Sequence, residues 1–289
     1  MKTLREYIKE AEDKGIAIGH FNISNIEALH GIYNAVKKLN VPVIIGVSEG
    51  EEEFIGKNEV AVLIKEIREK DNYPIFLNAD HHYSFESVKN ALDAGYDSAI
   101  IDAVKLPIEE NITLTKKCVE LALELGKKEG RDILIEAELG FIGTSSKLLN
   151  TIPEGVSEAT MTKPDDAKYF VEQTGINLLA PSVGNIHGMV KGGNPKLDID
   201  RIKAIKEACG VPLVLHGGSG ITDEDFTNAI KAGISMIHIN TEIRVAYKEA
   251  LEKYLNENPN EIAPYKILKP AVEAIEAVVY NRLKLFNNL

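Results

Sequence analysis

The chain has 289 residues, of which 44% are hydrophobic and 27% charged, and its two cysteines, Cys118 and Cys209, form no CxxC pair, which excludes a disulfide-stapled miniprotein. Its formal net charge is −11, and an acidic surface repels phosphate backbones, so nucleic acid is not an expected partner. No apolar run reaches the roughly 18–20 residues of a membrane span, and the start, MKTLREYIKE, is charged and amphipathic and lacks the apolar core of a signal peptide; no membrane association and a reduced, cytoplasmic location are expected.

Along the chain, eight short β-branched runs read as buried parallel strands: Ile16–Gly19, Val43–Val47, Ile75–Asn78, Ser98–Asp102, Ile133–Leu139, Leu178–Val183, Pro212–Leu215 and Ser235–Ile239. Helical patterns lie between them. Ser24 to Glu27 reads as a capping box opening a helix to Leu39, Lys116–Lys128 is amphipathic, and Thr222 to Asp225 starts a helix ending near Gly233. Two helices, Arg244–Asn256 and Pro270–Phe286, close the chain. Eight strand–helix units in about 250 residues predict an α/β fold, a TIM (β/α)8 barrel, with a doubly wound open sheet as the alternative. No linker or low-complexity segment divides it, so residues 1–289 read as a single barrel domain with C-terminal helices. The long Phe141–Asp165 connection reads as a functional lid or mobile segment.

Barrel chemistry gathers where strands end. There the sequence places His20 and Asn22, Ser48, Asp80-His81-His82, Asp102, Glu136 and Glu138, His187-Gly188, His216-Gly217-Gly218-Ser219, and His238-Ile239-Asn240-Thr241. Six of the seven histidines follow this pattern; His30 does not. Three imidazoles with an open position hold a catalytic zinc, and His81, His187 and His216, far apart in sequence, form the expected set. Residues 81 and 82 of a strand face opposite ways, so His82 reads as a bystander; His20 is either a site residue or part of the barrel rim. Glycines at 188, 217 and 218, beside Ser219 and Lys191, allow backbone N–H groups to approach an anion, and the loops after strands seven and eight are the usual barrel phosphate site. Dinucleotide and P-loop fingerprints are absent.

The motifs FN (21–22), SEG (48–50), NADHH (78–82), EAELG (136–140), HG (187–188), LHGGSG (215–220) and INTE (239–242) resemble those of the class II, metal-dependent fructose-bisphosphate and tagatose-bisphosphate aldolases, over about residues 4–285. The resemblance implies a lyase with one catalytic Zn²⁺ on His81, His187 and His216, and an alternative metal position using Asp102 and Glu138. It makes Asp80 the acid/base. Gly188, Lys191, Gly217, Gly218, Ser219 and the 239–241 stretch would cradle the phosphate of dihydroxyacetone phosphate, with Asn22 and Ser48 toward the other end of the substrate. It also implies a phosphosugar substrate, fructose 1,6-bisphosphate by default, and a homo-oligomer, dimer or tetramer. The chain departs from the family pattern at three positions. His238 replaces an Asn, Ser146 a loop Glu (with Glu154 or Glu158 as candidate replacements), and Tyr265 an Arg at the distal phosphate. An aldolase for another phosphosugar, a different metal-dependent barrel enzyme and a non-catalytic phosphosugar-binding homologue are the alternatives.

Overall fold

The computed structural model describes residues 1–144 and 146–289. Eight parallel strands close into a barrel: β1 (Ile18–Asn22), β2 (Val43–Ser48), β3 (Ile75–His82), β4 (Ser98–Ile101), β5 (Leu134–Leu139), β7 (Leu178–Pro181), β9 (Leu213–Leu215) and β10 (Ile234–Ile239). The ring runs β1-β10-β9-β7-β5-β4-β3-β2. Each of the eight expected runs is a barrel strand; the expected strand ends differ by a few residues, most at β3, which continues through His82.

Two short strands complete the numbering. β6 (Leu148–Leu149) and β8 (Met189–Val190) pair in parallel outside the barrel. The segment 141–165, expected as a lid or mobile segment, is tied at its middle to the chain that follows β7 and carries a short 3₁₀ turn at Glu158–Thr160.

Strand alternation sorts the side chains. Outward residues such as Phe21, Ile45, Leu77, Ile135, Leu179, Leu215 and Ile237 form the main apolar core against the surrounding helices. Inward residues form layers. The bottom layer is apolar and comes from Ile18, Ile44, Phe76, Leu134, Leu178, Val214 and Met236; the N-terminal helix Leu4–Lys14 closes it with Leu4, Ile8 and Ala11. Two residues further along five of these strands the interior turns polar: His20, Asn78, Glu136, His216 and His238 are all buried. The next layer holds Asn22, Asp80 and Glu138. With its lower end plugged by a helix, the barrel leaves these polar layers facing only the C-terminal mouth.

Two helices refine the expectations. The helix Ile26–Leu39 is capped by Asn25, whose side chain accepts from the Ala28 N–H, rather than by Ser24. The last helix, Lys269–Phe286, buries Ala271, Ile275, Val279, Leu283 and Phe286 within the chain. It packs so closely on Ile26–Leu39 that a Cβ at Gly31 would lie 2.8 Å from the Val272 carbonyl oxygen.

Candidate active site

Asp80 and His81 are consecutive, and regular alternation would turn one away from the barrel axis. The chain departs from alternation here. His81 has φ +51°, a left-handed conformation rare outside glycine, and the β3–β4 register shifts between Ala79 and His82. Both side chains consequently line the central cleft. His82 is buried on the other side, 3.5 Å from Glu52, as the bystander role requires.

Three imidazoles meet at the mouth. The His81 and His187 ring centroids lie 4.8 Å apart, and those of His81 and His216 4.9 Å. Their partners fix which nitrogen each ring turns outward. His187 Nδ1 donates to the Gly143 carbonyl at 2.8 Å, leaving Nε2 free. His216 Nε2 faces Glu136 Oε1 at 2.7 Å, leaving Nδ1. His81 Nδ1 faces Asp102 Oδ2 at 3.3 Å, leaving Nε2, which lies 3.2 Å from His216 Nδ1. Each ring thus carries an outer acceptor and turns its other nitrogen inward, the arrangement of metal-ligating histidines. Glu138 Oε1 joins them, 2.7 Å from His216 Nδ1. Ligand atoms of His81, Glu138, His187 and His216 all lie within 4.8 Å of one another, so this donor set, nitrogen-rich with one carboxylate, fits a divalent ion such as zinc. Asp102 stands behind His81 as its hydrogen-bond partner.

The charges are strongly coupled. Burial alone would lower His81, but the Asp80 and Glu138 carboxylates, with the Asp102 hydrogen bond, push it up to about 9. Burial likewise opposes the charged form of His216, yet Glu138 and Glu136 hold it well above the usual imidazole range. Burial drives His187 down to about 4. Burial works against the Glu138 carboxylate, but His81 and His216 bring it down to about 2. Asp80, also disfavoured by burial, is held well below the usual carboxylate range by His81 and His238.

Asp80 Oδ2 accepts from Asn22 Nδ2 at 2.7 Å, and Oδ1 lies 3.5 Å from His238 Nδ1. His20 is a site-layer residue, not part of the rim. It is fully buried and stacks on His238 with centroids 3.5 Å apart and planes 4° from parallel. His238 in turn lies 4.1 Å from His216. Asn78, its amide donating to Ser98, faces His20 Nε2 at 3.2 Å. Gly46 makes the room: a Cβ there would meet the His20 ring at 2.1 Å. His20, Asp80 and His238 could be read as a second metal cluster by proximity, but parallel stacked rings direct their lone pairs along parallel lines rather than to one point.

The cleft, about 30 Å³, is lined by Asn22, Asp80, His81, Ser146, His187, Gly188, His216, Gly217, Ser219, His238, Asn240 and Thr241. Gly217 has φ +61° and its Cα sits where a Cβ would strike the Ile186 carbonyl at 2.1 Å, so the loop closes this tightly only with glycine. Other expected residues stand apart from this lining. The Ile239 side chain belongs to the outer apolar core, Gly218 donates its N–H to the His238 carbonyl, and Lys191 is exposed on the loop after β8. Ser48 turns its hydroxyl to Glu51. Glu154 and Glu158 are exposed and line no part of the cleft. Tyr265 is 75% exposed and lines a separate groove.

Three residues have no counterpart in the sequence reading, and a fourth, Glu136, is placed there among the strand-end groups but given no role. Asn78 stands two positions before Asp80, a spacing that puts both on the inner face. Glu51, buried behind Asn22, and its partner Arg244 carried no local signal, because helices normally present such residues to solvent.

Barrel and site together define a (β/α)8 enzyme whose polar groups converge on one mouth. The family model described as "Fructose-bisphosphate aldolase class-II" matches residues 2–289, and the chain belongs to that family. It is therefore an aldolase, a carbon–carbon lyase. The fructose-bisphosphate aldolase of Geobacillus stearothermophilus is 38% identical over 289 residues, covering 99% of this chain and 96% of that protein. The probable fructose-bisphosphate aldolase of Bacillus subtilis is 38% identical, with 99% and 97% covered. The crystal structure of the YdjI aldolase from Escherichia coli K12 superposes with a TM-score of 0.83 at 33% identity, covering 98% of this chain and 96% of that one.

Proposed function

We propose that this aldolase reversibly cleaves a ketose bisphosphate, fructose 1,6-bisphosphate by the names of its relatives, into dihydroxyacetone phosphate and an aldehyde, with a zinc ion held by His81, His187 and His216. The observation that carries the reading is the convergence of three imidazoles, each anchored through its outer nitrogen, beside a buried carboxylate. A bound divalent metal supplies Lewis-acid stabilisation for the negative charge left on the three-carbon half. Glu138, and Asp102 behind His81, form the alternative metal position.

Asp80 takes the proton of the hydroxyl beside the breaking bond and returns it in condensation; Asn22 orients its carboxylate through the 2.7 Å hydrogen bond. Gly188, Gly217, Ser219, Asn240 and Thr241 offer backbone and hydroxyl donors to the ketone-side phosphate, with Gly218, Ile239 and Lys191 supporting those loops. His238 faces the reacting carbons, and Ser48 holds Glu51 behind Asn22. We also propose a homo-oligomeric, cytoplasmic enzyme; sedimentation analysis tests the assembly.

The test is cleavage assayed with and without a chelator, together with Asp80→Ala. Activity is expected to vanish with chelator and return with zinc. Asp80→Ala is expected to lower kcat by about 10²–10⁴-fold while retaining stoichiometric zinc. Loss of the metal would instead make Asp80 a ligand, and a metal-replete wild type that cleaves no ketose phosphate would sink the assignment.

A further inference from the structure

The glycine-rich loop after β9 is held from outside the cleft by a chain of contacts that ends on the last helix. Ser219 is buried and lines the cleft. Its Oγ accepts the Glu242 N–H at 3.1 Å, and among the described residues its own O–H proton meets no acceptor, so that proton is available to a ligand in the cleft. Glu242, in the first turn of the helix Thr241–Glu257, also holds the next residue of the loop: its Oε1 accepts the Gly220 N–H at 2.9 Å. Asn194 fixes the loop from the other side, its amide donating to the Ser219 carbonyl at 2.8 Å.

This support brings a carboxylate against a loop read as the seat of a phosphate, and like charges in such proximity oppose binding. Arg282 meets that problem. From the last helix its Nε donates to Glu242 Oε2 at 2.8 Å and its Nη2 to Oε1 at 2.7 Å, a bidentate pair, while Nη1 donates to Asp223 Oδ1 at 2.8 Å. The guanidinium also lies 5.1 Å from the ring centroid of the buried Phe226. The Arg282 and Glu242 side chains are only 19% and 11% exposed, so the pair is screened less than a surface ion pair. Arg282 lines no part of the cleft and reaches it only through Glu242.

We propose that Arg282 is a positioning residue for phosphate binding: it neutralises Glu242 and fixes its orientation, so that the Ser219–Gly220 turn receives the ketone-side phosphate. This inference deepens the aldolase reading and rests on it. Arg282→Gln tests it by leaving the Glu242 carboxylate without its countercharge. Adding Glu242→Gln removes the second charge too, while the glutamine oxygen still accepts the Gly220 N–H. The double variant therefore separates an effect of charge on the anion from a loss of packing.

Zinc-loaded wild type, Arg282→Gln and the double variant would be titrated with dihydroxyacetone phosphate by calorimetry and assayed on fructose 1,6-bisphosphate, with zinc content and melting temperature recorded. Arg282→Gln is expected to weaken dihydroxyacetone phosphate binding and raise KM by about 10–100-fold, with kcat changing less than about threefold and zinc stoichiometric. The double variant is expected to recover binding to within about threefold of wild type. Wild-type affinity in Arg282→Gln overturns the proposal, and so does a double variant that binds no better than the single one. Loss of zinc or of kcat in step with a fall in melting temperature also overturns it, since that marks Arg282 as support for the fold. A wild type that binds dihydroxyacetone phosphate, with the variants in the expected order, yet cleaves no ketose phosphate upholds the proposal and fails the aldolase reading.

Discussion

At the scale of single residues, each imidazole of the candidate metal site has its outer nitrogen occupied. Glu136 does this for His216 from a fully buried position. Replacing it by Gln preserves shape but removes the charge that favours the inward-facing lone pair. Glu136→Gln is expected to weaken zinc affinity by about 10–100-fold, measured by competition with a chromogenic chelator; unchanged affinity would show that the Glu136 contact does not tune His216. Gly46 is a second such point. A methyl at 46 enters the space of the His20 ring, and β2 is hemmed in by hydrogen-bonded neighbours on both sides. Gly46→Ala is expected to cost about 1–3 kcal/mol in denaturant unfolding, and to lower kcat by displacing the His20–His238 stack that abuts Asp80.

At the scale of elements, the joined loops after β5 and β7 position His187. The Gly143 carbonyl and the Ile142 carbonyl both receive N–H groups of His187, and β6 pairs with β8 just beyond. The segment that resembles a lid in sequence is thus also the outer support of His187. The helices Ile26–Leu39 and Lys269–Phe286 meet at Gly31, where a new Cβ would lie 2.8 Å from both the Ile275 side chain and the Val272 backbone carbonyl, which cannot rotate away. Gly31→Ala is expected to destabilise the protein by about 1–3 kcal/mol in a denaturant melt while leaving zinc content intact. Little of this was legible locally. A two-residue strand has no periodicity to detect, and a glycine within a helix gives no sign of which helix approaches it. The Asn25 cap shows the same limit: Ser24 and Asn25 are both capping types, and only the backbone path chose between them.

At the scale of the whole molecule, ion binding, protonation and folding are linked. His81 is raised from its ordinary value of 6.5 to about 9 by the carboxylates around it. A raised imidazole contributes stability below its unfolded value, and that contribution is lost as pH climbs through the folded value. The metal-free protein is therefore expected to lose thermal stability between pH 6.5 and 9 as Asp80, Glu138 and Asp102 lose their cationic neighbour. Zinc is expected to remove the loss by supplying positive charge in place of the proton, and its binding to release protons. Melting curves across that range, with and without zinc, check both signs; parallel curves would show that the carboxylate cluster is not held together in this way.

By itself the sequence determined the eight-strand barrel, the mouth at which its polar residues gather and the histidines that converge there, because strand period, strand-end chemistry and chain order are local properties that survive without coordinates. The tertiary structure alone decided that Asp80 and His81 can both face the cleft, through one left-handed residue. It also decided that His20 is interior, that Ile239 and Lys191 stand off the cleft, and that Glu51 and Arg244 pair in the wall of a neighbouring cavity. Each of these depends on contacts between residues distant in the chain or on a break in regular alternation, and neither leaves a trace in the spacing of neighbours.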